Sequence, residues 1–319
     1  MSTAPARPEE RRPSKTRAAG VSIASNAALI ALKIAAAAIT GSVAIASEAI
    51  HSAIDLIASI VAFVSVRKAD EPADDTHHYG HQKAENLAAA IEGMLILVGS
   101  GVIVYEAVSR LVSGAQVASV GVGIAVIAFS LAVNLGVGAF VRRRARQTDS
   151  AALEGDAAHI ASDAVTSAGV LAGLVLVKLT GADWIDSAVA LVVAVWIVAS
   201  GLRILTRSSR VLLDETLPAD ELDAIRREVV AFGDRGVAGF HQLRARRAGA
   251  HRYVDLHVQF RAGTTLEDAH RTAHELQDAI RGQLGGADVL IHLEPEDRVR
   301  PGTEIPPAPG PERPPVSAG

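Results

Sequence analysis

With no cysteine in its 319 residues, this chain can build a transition-metal site only from histidine and the acids. Eleven histidines are present, and two of them stand in the same setting. His51-x-x-x-Asp55 and His159-x-x-x-Asp163 each put an imidazole and a carboxylate one turn apart on one helix face. Both pairs fall inside long apolar runs, where ionisable side chains are costly and by default functional. Two facing pairs supply four nitrogen and oxygen ligands, the number and type that tetrahedral Zn2+ accepts. One such pair would serve equally well as a buried hydrogen bond between helices. The recurrence of the spacing favours metal. Glu48, Glu154 and Asp156 add charge to the same two runs.

Two more clusters carry ligand chemistry. Asp74, His77 and His81 lie in the stretch Asp74-Asp75-Thr76-His77-His78-Tyr79-Gly80-His81 and would converge on one ion if the chain turns at Gly80. A solvated polar loop is the alternative there. Further on, His241, His257, His270, His274, His292 and Glu294 fall on different elements, so only the fold can gather them. A site closed by four protein ligands suits transport better than catalysis, because a carried ion must shed its water. Imidazole titrates near pH 6.5 when unperturbed, and protons compete with metal for its lone pair. A pH difference across a membrane would therefore load such a site on one side and empty it on the other. No Gly-Lys-Ser/Thr phosphate loop is present, and no second histidine completes a zincin pattern after His274-Glu275.

The elements that must position these residues are mostly apolar. The chain is 49% hydrophobic yet 21% charged, with a mean hydropathy of +0.27, which implies segregation. A polar arm over 1–17 precedes two runs between Ala18 and Val66, broken at Thr40-Gly41. Leu87–Val112, Val117–Val141, Ala151–Leu179 and Ile185–Leu205 follow. Runs of about 22 residues cross a hydrocarbon core of ~30 Å at 1.5 Å per residue. A six-helix transmembrane domain over 18–207 is expected. Arg67, Lys68, Arg142, Arg143, Arg144, Arg146, Arg203, Arg207 and Arg210 flank one set of helix ends, and the short turns at 40–42, 113–116 and 180–184 carry no cation. By the positive-inside rule both termini are cytoplasmic.

After Leu217-Pro218 the pattern becomes that of a soluble domain, expected over 208–298. Ala219–Phe232 reads as a helix, Val237–Ala245 and Arg252–Phe260 as strands, and Ala287–Leu293 as a last strand. Val254, Leu256, Val258 and Phe260 alternate with Asp255, His257 and Gln259. Thr264 with Glu267 predicts a capping box opening a helix to about Leu284. The order αββαβ suits a ferredoxin-like or metallochaperone-like α+β domain with helices on one sheet face. Residues 299–319, rich in Pro, Gly and Ser, predict a disordered tail, as does the arm at 1–17. The net charge of -4 excludes an overall basic nucleic-acid binder.

The sequence resembles the cation diffusion facilitator family of divalent-metal/proton antiporters from about 18 to 297, most specifically in Ser47–Asp55, Pro72–Glu85, Gly155–Ser167 and Leu212–Pro218. The resemblance implies a transport site at His51, Asp55, His159 and Asp163, and a loop zinc site at Asp74, His77 and His81. It also implies cytoplasmic ligands at His241, His257, His270, His292 and Glu294. His78, His251 and His274 lack a clear counterpart. Glu48 stands where many relatives carry Asp, with a supporting or a proton-handling role left open. Lys83 and Asp214 match positions that pair as a salt bridge in some relatives, coupling the cytoplasmic domain to the helices. The resemblance further implies a homodimer in the inner membrane, without enzymatic activity or organic cofactor, exporting Zn2+ against protons. Fe2+, Mn2+, Co2+ or Cd2+ as main cargo, or a membrane-anchored metal sensor without flux, are the alternatives.

Overall fold

The computed structural model describes residues 8–40, 43–113, 121–182 and 184–306; the side chains of 8–14, 43–51 and a few isolated helical positions lie outside the described residues. The chain divides into two units, Met1–Leu213 and Asp214–Gly319.

The first unit is helical: α1 (Pro8–Thr40), α2 (Val43–Ala69), α3 (Lys83–Ser113), α4 (Gly121–Thr148), α5 (Ala151–Thr180) and α6 (Trp184–Leu212). All but α2 carry a described stretch of 25 to 27 residues long and apolar enough to cross a membrane. Large apolar side chains such as Val98, Tyr105, Val192 and Val195 lie exposed on these helices, as a lipid-facing surface requires. α1 packs along α2, α3 along α6, and α4 along α5. The α3–α6 approach depends on glycine: a Cβ at Gly93 would lie 3.0 Å from the Leu205 backbone nitrogen. Gly169 of α5 lies similarly close to α6, since a Cβ there would come within 2.7 Å of the Val193 side chain. α5 is set at both ends. Ser150 caps its first turn by accepting from the Leu153 N–H, and Gly181, at φ 73, ends it in the left-handed conformation.

The second unit contains α7 (Ala219–Ala231), a 3-10 turn at Phe232–Arg235, β1 (Val237–Ala248), β2 (His251–Phe260), α8 (Leu266–Gln283) and β3 (Asp288–Pro295). β1 and β2 form an antiparallel hairpin turned at Gly249, whose φ of 56 suits glycine. β3 returns through α8 to lie parallel to β2, giving the order β1-β2-β3. Val254, Leu256 and Val258 are buried with Ile225 and Val229 of α7 and Leu276 and Ile280 of α8. Both helices therefore cover one face of the sheet. Strand periodicity sends His257 and Gln259 to the other.

Three expectations need correction. α1 begins at Pro8, so half of the expected disordered arm is helical; Lys15 anchors it by donating to Glu85 Oε1 at 2.7 Å in a buried ion pair. The cap of α8 sits one residue later than the proposed box. Thr265 accepts from the Asp268 N–H at 3.1 Å and donates to its carboxylate at 2.7 Å. Residues 299–306 of the expected disordered tail are ordered, while 307–319, like 1–7 of the arm, lie outside the described residues. Glu304 bridges to Gly239, the Ile305 N–H donates to Ala238 O at 2.8 Å, and the Ile305 side chain is buried in the core. One isoleucine among prolines and glycines has an apolar site to fill, which outweighs the composition around it.

Candidate metal centres

In the helical unit, Asp55 of α2 and His159 and Asp163 of α5 bring one ligand atom each to within 4.8 Å of one another. The His159 Nε2–Asp55 Oδ1 distance is 3.1 Å. Both residues are 6% exposed, and His159 Nδ1 is buried without a hydrogen-bond partner. The side chains of His51 and Glu48 lie outside the described residues. The backbone of α2 nonetheless carries His51 one turn before Asp55, on the same face. A buried imidazole with a free nitrogen beside two carboxylates is a donor set suited to a divalent cation.

Around this group runs a polar seam that the reading of the sequence largely missed. Ser22 and Ser59 donate to Asp156 Oδ1 at 3.0 and 3.1 Å, and Asn26 donates to Ser59 at 2.8 Å. Lys33 donates to Ser52 at 2.7 Å. Glu85, besides taking Lys15, accepts from Ser150 at 2.5 Å, tying α1, α3 and the start of α5 together. Glu92 of α3 is fully buried. A lone acid in an apolar run was the available signal for Glu92. Glu154, by contrast, lies at the surface and takes Arg207 at 2.5 Å.

Between α2 and α3, Asp74, His77 and His81 also bring ligand atoms to within 4.8 Å of one another. The chain does turn at Gly80, whose φ is 79 and whose N–H donates to His77 O at 2.9 Å. Asp74 accepts from the Thr76 hydroxyl and from the Thr76 and His77 N–H groups. These bonds, the Thr76 hydroxyl first, hold its carboxyl well below the usual carboxylate range. His81 Nε2 stands 3.2 Å from Asp74 Oδ2, and neither ring nitrogen of His81 has a hydrogen-bond partner although both are buried.

In the second unit His241, His257 and Glu294 form a third group. Strand register builds it. His241 of β1 pairs with His257 of β2, which pairs in turn with His292 of β3. Successive ring centroids are 5.1 and 4.6 Å apart. Glu294 Oε1 lies 2.8 Å from His257 Nδ1 and Oε2 lies 3.4 Å from His241 Nε2; His292 is at 4.0 Å. Gln259 donates to Glu294 Oε2 at 2.6 Å. Burial acts to raise the Glu294 carboxyl, but hydrogen bonds from His257 and Gln259 outweigh it and hold it below its ordinary value. Burial lowers the His241 imidazole below its ordinary value. Beside His241, β1 bulges, with Gln242 at a φ of 50. Such a bulge re-aims a side chain.

His270 does not join this group within one chain. It sits on α8, across the sheet, with its Nε2 3.1 Å from that of His274. The proposed coupling residues have these contacts within their own units: Lys83 donates to Leu212 O at 3.3 Å, and Asp214 accepts from Arg246 at 2.9 Å.

Residues 19–213 match the cation efflux transmembrane domain, and 217–296 match the cation efflux protein cytoplasmic domain. The uncharacterised transporter sll1263 of Synechocystis sp. is 35% identical over 275 residues, covering 86% of this chain and 88% of that protein. The cation-efflux pump FieF of Cronobacter sakazakii is 35% identical over 267 residues, covering 84% and 88%. A solved structure of CzrB in its zinc form matches 27% of this chain and 98% of its own, at 33% identity and a TM-score of 0.26. Six helices with Asp55, His159 and Asp163 gathered between two of them, joined to a three-stranded α+β domain and matched by both family domains, make this multi-pass membrane protein a member of the cation diffusion facilitator family of divalent-metal efflux transporters, not an enzyme.

Proposed function

We propose that the protein is a proton-coupled antiporter that exports Zn2+ from the cytoplasm as a homodimer in the inner membrane, with both termini cytoplasmic. The observation that carries this reading is the buried group of Asp55, His159 and Asp163 between two helices of the membrane unit. With His51 one turn from Asp55, the set reaches four donors, two of them imidazole, which favours Zn2+ over the ions preferred by all-oxygen sites. The same imidazoles bind protons in competition with metal, which is the basis of exchange. The half-open group of His241, His257 and Glu294, with His292 beside it, acts as a sensing site that raises export when cytoplasmic metal rises by bridging two subunits. His270, out of reach in its own chain, is then a ligand offered to the second subunit. The loop group at Asp74, His77 and His81 takes a further Zn2+. Lys83 and Asp214 couple the cytoplasmic domain to the helices; a Lys83→Ala variant that dimerises and transports normally would remove that role.

The test is metal uptake into liposomes holding the purified protein under an imposed pH gradient, with Zn2+, Cd2+, Mn2+, Co2+ and Fe2+ compared. Gradient-dependent Zn2+ flux that disappears in Asp163→Ala is expected. Preferential flux of another metal would overturn the cargo and keep the exchange. No flux of any metal, with zinc still bound by the cytoplasmic group, would make the protein a sensor.

A further inference from the structure

One polar feature of the membrane unit is used by none of the three metal-ligating groups. Glu92 of α3 and Asp156 of α5 are both 0% exposed. Neither carboxylate oxygen of Glu92 has a hydrogen-bond partner, and nor does Asp156 Oδ2. Glu92 packs against Gly155, the residue before Asp156, and among the described residues no ion pair to Lys or Arg is seen for either acid. Glu92 lies flat against α5 at Gly155, where a Cβ would come within 2.2 Å of its Oε2. Asp156 is fixed from its other side, since Oδ1 accepts from Ser22 and Ser59.

Burying a polar atom without a partner costs about 1–3 kcal/mol, and more for a charged one. Here three carboxylate oxygens on two helices share that cost, while the fourth is held rigid by two hydroxyls. Two carboxylates match the charge of one divalent cation, and oxygen donors suit a hard or borderline ion. The location follows from helix geometry. Asp55 meets His159 while Ser59 meets Asp156, so α2 and α5 run antiparallel. Asp156 and Ser59 are thus displaced from the triad in the same direction, by about one turn, toward the α2 end that carries Arg67 and Lys68.

We propose that Glu92 and Asp156, with the hydroxyls of Ser22 and Ser59, form a second divalent-cation position one helical turn from the Asp55–His159–Asp163 group. It rests on the reading of α2 and α5 as the transport path. Lacking imidazole, it holds the ion less selectively than the triad, which suits a staging position. The ion is collected by oxygen donors and then handed to a nitrogen-containing set that selects it.

The probe is Mn2+ bound to the full-length protein in detergent, counted by electron paramagnetic resonance. In wild type, and still in Asp163→Ala, one Mn2+ population should show no 14N coupling, because the other groups all contain imidazole. Glu92→Gln and Asp156→Asn, checked for monodispersity, should each lose that population, and Glu92→Gln should slow Zn2+ flux at low metal about tenfold. Absence of the uncoupled population from wild type overturns the proposal whether or not the variants fold. So does its persistence in both folded variants, and so does a change confined to the pH dependence of flux, which would assign the two acids to protons. If the population behaves as expected but wild-type liposomes carry no metal, the transport reading fails and the cation position stands.

Discussion

The triad in the helical unit and the histidine row in the α+β unit use the same ligand types in opposite ways. Asp55 and His159 are enclosed by helices, each 6% exposed, and their partners come from two elements whose spacing is local. His292 at the end of the row is 64% exposed at its side chain, and its neighbours are set by strand pairing over long sequence distances. A buried group can bind an ion only after the ion sheds its water, and release then needs the helices to move. The row is enclosed at His241, 8% exposed at its side chain, and opens to solvent only at His292, so an ion can exchange from that end without helix movement. In the proposed function that difference separates carrying from sensing, and each half of it can be broken.

The largest effect is expected at the enclosed group. Asp163→Ala removes a carboxylate from the triad, and Zn2+ flux in liposomes should fall at least about a hundredfold while the protein stays dimeric. Glu294→Ala should do something different. Glu294 touches both His241 and His257, so zinc affinity of the cytoplasmic group should fall by about 10–100-fold by titration calorimetry. Flux at saturating metal should stay within about twofold of wild type. If Glu294→Ala abolishes flux at every metal concentration, carrying and sensing are not separable.

The same contrast explains what could be read beforehand. His51–Asp55 and His159–Asp163 were legible because helical spacing is a local property, so two residues four apart need no further information to share a face. The histidine row was visible only as residue types. Its assembly needs β3 parallel to β2 in one register, and a bulge at Gln242, neither of which a run of alternating residues specifies. His270 was grouped with the row for the same reason, and the sheet separates them in one chain. Glu92 and Glu85 passed unremarked because each acid makes its sense only against another helix, at Gly155 and at Lys15. Ile305 shows composition failing over a short stretch, where one buried side chain and one backbone hydrogen bond set the path.

The bulge offers a sharper probe of the open site. Gln242 holds a left-handed φ of 50, which an unbranched side chain tolerates and a β-branched one resists. Gln242→Val should destabilise the cytoplasmic unit by about 2 kcal/mol in thermal unfolding followed by circular dichroism. Because His241 is its neighbour, zinc affinity should fall too, while Gln242→Gly keeps both near wild type. Equal zinc binding in the two variants would mean that the bulge does not aim His241.

The smallest effect lies away from both groups and tests the scaffold under the row. Glu221, in the first turn of α7, accepts from Arg252 Nε at 2.6 Å and Nη2 at 2.8 Å, pinning the helix to β2. The Arg252 hydrogen bonds lower the Glu221 carboxyl below its ordinary value. A depressed carboxylate contributes stability above its unfolded value, near 4.3, and loses it as pH falls through the folded one. The pair is partly open to solvent, so its contribution is about 1 kcal/mol. Glu221→Gln should therefore unfold earlier than wild type at pH 7, and the two should converge as the pH drops below about 4. Zinc affinity of the row should not move, because the Glu221–Arg252 pair ties α7 to β2 and neither residue belongs to the ligand group. A gap that persists undiminished at acid pH would show that Glu221 stabilises α7 by packing rather than by charge.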